Sequence, residues 1–175
     1  MEGQASTTGS GVGQPKGIVT AVSAVPGSVI TDVTNAIAAG QAFNVPSQLP
    51  ARWLPRAQWT ANLGIMNIFR LLPQAVGLNY PMVDDSTNPP KMLGWNFWEN
   101  SHMDGTSAAG ADNVLLAGDF TQFCIVDRIG TTVEFIPHLF GSNGRPKGQR
   151  GWYAYKRTGS DVLVPDAFRL LNLNG

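Results

Sequence analysis

The sequence has little of what marks several large classes of protein. Cysteine occurs once in 175 residues, at Cys124, so no internal disulfide can form and a reducing compartment fits. No apolar run approaches the ~18–20 residues of a membrane-spanning helix. Met1 is followed by acidic and polar residues rather than by the apolar core of a secretory signal peptide. We therefore expect no membrane partner.

Charge is also scarce. Only 14% of the residues are charged, and 12 basic residues balance 12 acidic ones. This balance gives no basic excess of the kind that wraps nucleic acid. A weakly charged surface suits a subunit that buries much of itself against neighbours, and a neutral soluble monomer is the alternative. At 43% hydrophobic, the chain can form one domain with a sizeable core.

Motifs for nucleotide binding are absent. A phosphate-binding loop needs Gly-Lys followed by Ser or Thr at the start of a helix, whereas here Lys16 follows Pro15 and precedes Gly17. A dinucleotide fingerprint needs its third glycine where Gln14 stands, and a strand before it. We expect no cofactor.

Residues that could form a metal or catalytic site are few. His102 and Asp104 lie in one predicted loop and His138 lies far along the chain, whereas a zinc site needs three or four ligands at recognisable spacing. Cys124 lies in a β-type run without an activating histidine and is predicted to be inert. No Gly-x-Ser-x-Gly elbow occurs. We predict no enzyme, no catalytic or metal residues and no small-molecule substrate; a small hydrolase using His102 or His138 is the alternative from another class.

The N-terminal half predicts a polar lead-in followed by two helices. Residues 1–17 are rich in Gly, Ser and Thr and predict a loop, and residues 18–22 are β-prone. Residues 28–39 have apolar side chains at helical spacing, with Gly40 as a C-terminal stop. Residues 51–54 predict a short strand. A second helix is expected from Pro55 to about residue 70, with Trp59, Leu63 and Met66 as its buried stripe.

The C-terminal half predicts β-structure after a turn-rich segment at residues 71–90. Residues 92–98 alternate as a strand, and residues 99–113 predict a loop. Residues 123–126 and 132–136 predict a β-hairpin with its turn at residues 128–131. Residues 148–157 predict a strand, residues 158–161 a turn, and residues 167–173 a last apolar segment. The predicted core residues are Trp59, Phe123, Ile125, Val133, Phe135, Trp152 and Phe168.

Several of these motifs, taken in order, resemble a known family. Ala-Gly-Asp-Phe at 117–120 precedes Ile-Val-Asp-Arg-x-Gly at 125–130, and Lys-Arg-x-Gly-x-Asp-Val at 156–162 precedes Pro-Asp-Ala-Phe at 165–168. This order resembles the C-terminal half of tailed-phage major capsid proteins of the Hong Kong 97 type. The Gly-rich residues 9–18 resemble the segment that follows the long spine helix in that family.

The resemblance implies an α+β fold, with a mixed central sheet flanked by helices and a long β-hairpin. It implies a Gly-rich lead-in at 1–27, an axial domain at 28–120 that gathers around capsomer centres, and hairpin and C-terminal strands at 121–175 that complete the axial domain and enter the peripheral domain. The family's N-terminal arm, extended loop and spine helix have no counterpart here. The alternatives are a fragment, an internally started product or a degenerate prophage gene.

By the same resemblance, the protein is a structural subunit of an icosahedral phage or prophage capsid. It would self-associate into capsomers beside a longer capsid subunit and meet packaged DNA only indirectly. It would reside in the virion capsid, and in the bacterial host cytoplasm during assembly. A shell protein of a cargo-enclosing compartment with the same fold is the alternative.

The residues expected at subunit contacts lie in the turn-rich segments and at the predicted hairpin end. They are Pro81, Asp84, Asp85, His102, Asp104, Asp127 and Arg128. Asp127 and Arg128 are most simply interpreted as a charge pair at the hairpin end. Some family members crosslink Lys to Asn with the help of a Glu in the aromatic strand. Residues 148–157 contain no carboxylate, so the condensation lacks its general base and we expect no covalent subunit ladder.

Overall fold

The structure is a computed structural model that describes residues 2–32, 36–75, 81–105 and 111–174. Its helices are α1 (Glu2–Thr8), α2 (Ile18–Ser23), α3 (Ala39–Gln48) and α4 (Leu63–Ala75). Its strands are β1 (Val29–Asp32), β2 (Gln58–Ala61), β3 (Val83–Asp84), β4 (Lys91–Met92), β5 (Trp95–Glu99), β6 (Ala111–Gly118), β7 (Phe123–Ile136), β8 (Gly151–Val162) and β9 (Phe168–Asn174). No helix among the described residues is long and apolar enough to cross a membrane.

Contacts divide the chain into two compact units. The large unit comprises Met1–Cys124 and Ser160–Gly175, and the ribbon unit comprises Ile125–Gly159. These bounds differ from the domain bounds expected at residues 27 and 120, because β9 returns to the sheet of the large unit. The names axial and peripheral therefore remain expectations for parts of this chain.

The large unit is built on a seven-stranded mixed sheet in the order β1-β9-β6-β2-β5-β4-β3. β1 runs parallel to β9 and β2 runs parallel to β5, while the other neighbours are antiparallel. At its centre, residues 114–117 of β6 are fully buried. A continuous apolar run suits a strand covered on both faces. The mixed sheet with its helices confirms the predicted α+β class.

Two apolar clusters cover the two faces of this sheet. Leu115 and Leu171 join one cluster with residues of α3 and α4, whereas Leu116 and Leu170 join the other with residues of α2. The assignment alternates along each strand because successive side chains point to opposite faces. The core of the large unit therefore has helices on both sides of one sheet.

The helix predicted at residues 28–39 is wrong. Ser28 ends a 3-10 turn, and Val29–Asp32 forms β1, which pairs with Leu170–Leu173 of β9. β-branched residues next to an apolar strand gain more from pairing than from their helical spacing. The helix begins instead at Ala39, so Gly40 lies in its first turn rather than at its end. Val33 lies outside the described residues.

The second predicted helix is right only in its later part. Trp59 lies in β2, and α4 begins at Leu63. The strand expected at 51–54 is a turn that leads into a 3-10 helix. Trp59 is nevertheless fully buried, and its indole Nε1 donates to the Met92 carbonyl oxygen at 2.9 Å. Its burial comes from strand pairing rather than from a helical stripe.

The N-terminal segment contains helices where a loop and a strand were expected. Residues 2–8 form α1, and the β-prone residues 18–22 lie in α2. A Cβ on Gly17 would lie 2.4 Å from the Thr7 backbone, so glycine allows this close approach. Ile18 and Val22, four residues apart, lie on one helical face and pack with Leu116 of the sheet.

The middle of the chain forms a small hairpin. Residues 92–98, expected as one strand, are divided between β4 and β5 by Leu93 and Gly94, with φ of 51° and 86°. Two residues at positive φ are typical of a type I′ turn. Within residues 71–90, α4 extends to Ala75 and β3 forms the sheet edge. β6 begins at Ala111, two residues before the predicted loop was expected to end.

The hairpin expected within residues 123–136 is wrong. β7 runs without interruption through Gly130, and its partner is β8. The turn expected at residues 158–161 is also absent, because these residues continue β8. The connection is instead residues 137–150, where Gly144 and Gly148 have φ of 67° and 72°. Gly130 needs no positive φ, and a glycine within a β-rich run is therefore a weak sign of a turn.

Candidate subunit interface

One face of the ribbon unit is apolar and exposed. Alternation places Ile125, Val133 and Phe135 of β7 on the same face. The Phe135 and Trp152 rings lie with centroids 4.9 Å apart, which puts Trp152 of β8 on that face too. The exposed fractions are 58% for Ile125, 57% for Val133, 46% for Phe135 and 74% for Trp152. We call these four residues the apolar ribbon face.

The predicted burial of these four residues is therefore wrong for this chain. A two-stranded ribbon has two faces and no third layer of its own, so alternation alone does not decide which face is covered. The other predicted core residues lie in the large unit. Trp59 and Phe168 are fully buried, and the half-buried Phe123 packs at the edge of the Phe168 cluster.

The opposite face of the ribbon is more polar. Val126 and Tyr153 are 58% and 54% exposed, and the centroids of the Tyr153 and Tyr155 rings lie 5.6 Å apart with tilted planes. Arg128 and Arg157 lie on this face by alternation. The two faces thus differ in chemistry, as the sequence periodicity predicts.

Asp127 and Arg128 do not form the expected charge pair. The Thr158 hydroxyl donates to Asp127 Oδ1 at 2.6 Å, and Lys156 Nζ lies 3.7 Å from Asp127 Oδ2. Neighbours in a strand point to opposite faces, so Asp127 binds across to β8 while Arg128 points away. The ion pair of Asp127 and Lys156 therefore lies on the apolar ribbon face and adds no net charge to it.

The two acidic residues expected at subunit contacts near the sheet edge, Asp84 and Asp85, are held in place. Arg70 of α4 donates to Asp85 through Nε and Nη2, the shortest distance being 2.7 Å. Asp84 lies on the edge strand β3, where hydrogen bonds from the Ser86 hydroxyl and backbone N–H lower the pKa of Asp84. Pro81 is exposed beside them.

His102 and Asp104 are exposed and serve local structure. The His102 backbone N–H donates to Asn100 Oδ1 at 3.1 Å, and Asp104 Oδ2 accepts from the Asn113 backbone N–H at 2.8 Å. Among residues 2–32, 36–75, 81–105 and 111–174, no group of three or more His, Cys, Asp or Glu side chains could hold a metal ion.

One feature that the sequence reasoning missed is the buried carboxylate of Asp119, which is 1% exposed. Asp119 Oδ1 accepts from the backbone N–H and hydroxyl of Thr121, and Oδ2 lies 3.0 Å from Arg56 Nη2. With Gln58 and Phe120, these residues line an open cleft of about 480 Å³. The Asp-x-Thr spacing is the signal for this cap. The Asp119 carboxylate therefore serves as the N-cap of the 3-10 turn Phe120–Gln122.

Solved structures share this fold. The capsid of an empty GTA particle, computed with C5 symmetry, matches with a TM-score of 0.76 at 22% identity, covering 99% of this chain and 61% of that one. A structure from Mycobacterium phage Ogopogo matches with a TM-score of 0.54 at 14% identity, covering 91% and 56%. The holo-SrpI encapsulin complex from Synechococcus elongatus PCC 7942 matches with a TM-score of 0.57 at 13% identity, covering 90% and 56%. The fold is thus that of capsid shell proteins, and the predicted Hong Kong 97-type fold is confirmed.

The family follows from the sequence match. The model of the phage capsid family matches residues 1–173, so the chain belongs to the phage capsid family. No curated protein matches it. The chain spans 61% of the GTA capsid chain that it resembles. Membership in this family of capsid structural proteins agrees with the family predicted from the sequence.

Proposed function

We propose that the protein is a structural subunit of an icosahedral phage or prophage capsid that self-associates into capsomers enclosing DNA. The observation that carries the proposal is the apolar ribbon face. Large apolar side chains are exposed together on a thin ribbon, and such patches mark association surfaces. The family supplies the kind of assembly that would cover this face.

The finer parts of the proposal concern partners and location. A specific stable interface buries roughly 1,200–2,000 Å² in total. Because the chain spans 61% of the GTA capsid chain, contacts made by the remaining part of such chains have no counterpart in these 175 residues. We therefore expect loose capsomer-like oligomers from this chain alone, and shells only beside a longer capsid subunit. The expected locations are the virion capsid and, during assembly, the host cytoplasm.

A cargo-enclosing shell is the second candidate, favoured by the similarity to an encapsulin. Both candidates require the same apolar surfaces and the same self-association. The match of the phage capsid family to nearly the whole chain favours the phage capsid. Co-purifying contents distinguish the two: protected DNA in assembled particles supports the capsid, and a single enriched protein supports the compartment.

The test of self-association is sedimentation velocity of the pure 175-residue protein together with electron microscopy. We expect a monomer in exchange with small oligomers at micromolar concentration, with larger species growing as concentration rises. A strict monomer at every concentration would contradict self-association. A closed shell of megadalton mass, formed without any partner, would contradict the need for a longer subunit.

A further inference from the structure

The zero net charge of the chain hides a separation of charge between its two units. The ribbon unit Ile125–Gly159 contains six basic and two acidic residues, a net charge of +4. The whole chain has 12 of each, so the large unit has six basic and ten acidic residues, a net charge of −4. Each unit thus complements the other unit of a second copy in charge.

The positive charge of the ribbon unit is concentrated where the chain is exposed. Between Glu134 and Asp161 the sequence contains no acidic residue, and Arg145, Lys147 and Arg150 all lie exposed in or next to the connection. Phe140 in the same connection is 67% exposed. The basic connection therefore joins the two strands, β7 and β8, that carry the apolar ribbon face.

Three of the ten acidic residues of the large unit lie at one end of its sheet. Asp32 is the last residue of β1, Glu99 the last of β5, and Asp112 lies at the start of β6. Asp32 and Asp112 are both in register with Leu173 of β9, so strand direction brings these ends together. No Lys or Arg occurs at residues 17–51 or 92–127, the segments that supply this acidic end.

We infer that the apolar ribbon face and basic connection of one copy dock at the acidic end of the large-unit sheet, at Asp32, Glu99 and Asp112, of a second copy. This contact deepens the proposed capsid function and rests on it. It joins two different surfaces, so it is heterologous, and a heterologous contact generates rings when its rotation closes. Apolar burial holds the two copies together, while the opposite charges select the partner surface and its orientation.

The experiment uses two charge-reversed variants of the full 175-residue chain. One carries Arg145→Glu and Arg150→Glu in the ribbon unit, and the other carries Glu99→Lys and Asp112→Lys at the acidic end of the large-unit sheet. Each variant alone brings like charges together, and we expect its self-association in sedimentation velocity to weaken by about tenfold or more. An equimolar mixture restores opposite charges at both contacts, so we expect association of the mixture to return.

The control and the salt dependence test the electrostatic argument. Arg52→Glu with Lys91→Glu reverses two charges of the large unit outside the proposed contact, and we expect self-association to stay within about twofold of the parent chain. Raising NaCl from about 50 mM to about 500 mM should weaken association of the parent chain and of the restored mixture alike. Circular dichroism confirms that each variant is folded.

The apolar contribution is tested by Trp152→Ser on the apolar ribbon face against Tyr153→Ser on the opposite face. We expect only the first to weaken association.

The proposed docking surface is overturned if each charge-reversed variant associates like the parent chain, or if their mixture does not recover association. Self-association itself would then still stand. A strict monomer of the parent chain overturns the proposed function itself. Binding of a duplex oligonucleotide that is abolished by the Arg145 and Arg150 changes, with self-association unaffected, assigns the connection to nucleic acid and also overturns the inference.

Discussion

Replacing Phe168 and Phe135 by alanine, one at a time, makes the same chemical change at two levels of burial. Phe168 is fully buried at the start of β9, with its ring 5.6 Å from that of Phe120. Phe135 is 46% exposed and has the Trp152 ring as a close neighbour. The two substitutions therefore compare the core of the large unit with the apolar ribbon face.

The expected magnitudes follow from these surroundings. Phe168→Ala leaves a cavity in a packed cluster and should lower the free energy of unfolding by about 3–5 kcal/mol. Full burial of a Phe side chain is worth about 1.5–3 kcal/mol. A half-exposed ring retains about half of that, and its aromatic pair adds about 0.5–1.5 kcal/mol. Phe135→Ala should therefore cost about 1–3 kcal/mol, less than Phe168→Ala.

The assay is urea unfolding of the full chain at low micromolar concentration, followed by circular dichroism and tryptophan fluorescence. If the two units unfold in separate transitions, Phe168→Ala should shift the transition of the large unit and Phe135→Ala that of the ribbon. An equal loss for the two variants at low concentration would refute the exposed ribbon face. Because self-association stabilises the folded form by mass action, the loss caused by Phe135→Ala should grow as protein concentration rises.

Three further substitutions in the large unit, with one control in the ribbon unit, test details of the structure. A Cβ on Gly118 would lie 2.3 Å from a backbone oxygen, so Gly118→Ala should destabilise by about 1–3 kcal/mol; Gly130→Ala, with open space around it, should change stability by less than about 1 kcal/mol. Arg169 is 7% exposed and donates to three backbone carbonyls, so Arg169→Met should cost about 2–4 kcal/mol by leaving acceptors unpaired. Asp161→Asn should cost under about 1 kcal/mol at pH 7, because its ion pair is exposed.

The pH dependence of the last variant has a defined sign. The backbone N–H of Val162, and after it Lys16, lowers the pKa of Asp161 below its ordinary value of 3.8. A depressed folded pKa gives stability that is present above the unfolded pKa and is lost as pH falls through the folded value. The difference between the parent and Asp161→Asn should thus shrink below pH 3.8 in thermal unfolding. A difference that widens on acidification would contradict this sign.

The substitutions at Gly118 and Arg169 are each compared with a matched control in thermal unfolding. Gly118→Ala and Gly130→Ala add the same methyl group, so equal effects would contradict the close approach at Gly118. For Arg169, replacement by Lys keeps the charge but cannot span the same carbonyls. A stable Arg169→Met protein would show that those carbonyls find other partners.

The order of local motifs was sufficient to predict the family and the α+β class. Motifs of neighbouring residues, such as the Ala-Gly-Asp-Phe segment, are visible without any pairing partner. The alternation of Trp152, Ala154 and Lys156 against Tyr153 and Tyr155 likewise follows from the strand period alone. Trp59 and Phe168 were recognisable as core from their apolar neighbours, although the secondary structure around Trp59 was not.

Tertiary contacts decided the rest. The pairing of β1 with β9 joins residues about 140 positions apart and overrides a helical pattern at residues 28–39. β7 continues through Gly130 because its partner is β8, which local turn signals do not reveal. The exposure of Ile125, Val133 and Phe135 was equally invisible in the sequence. Alternation places these side chains on one face, but only the layers present in three dimensions determine whether that face is covered.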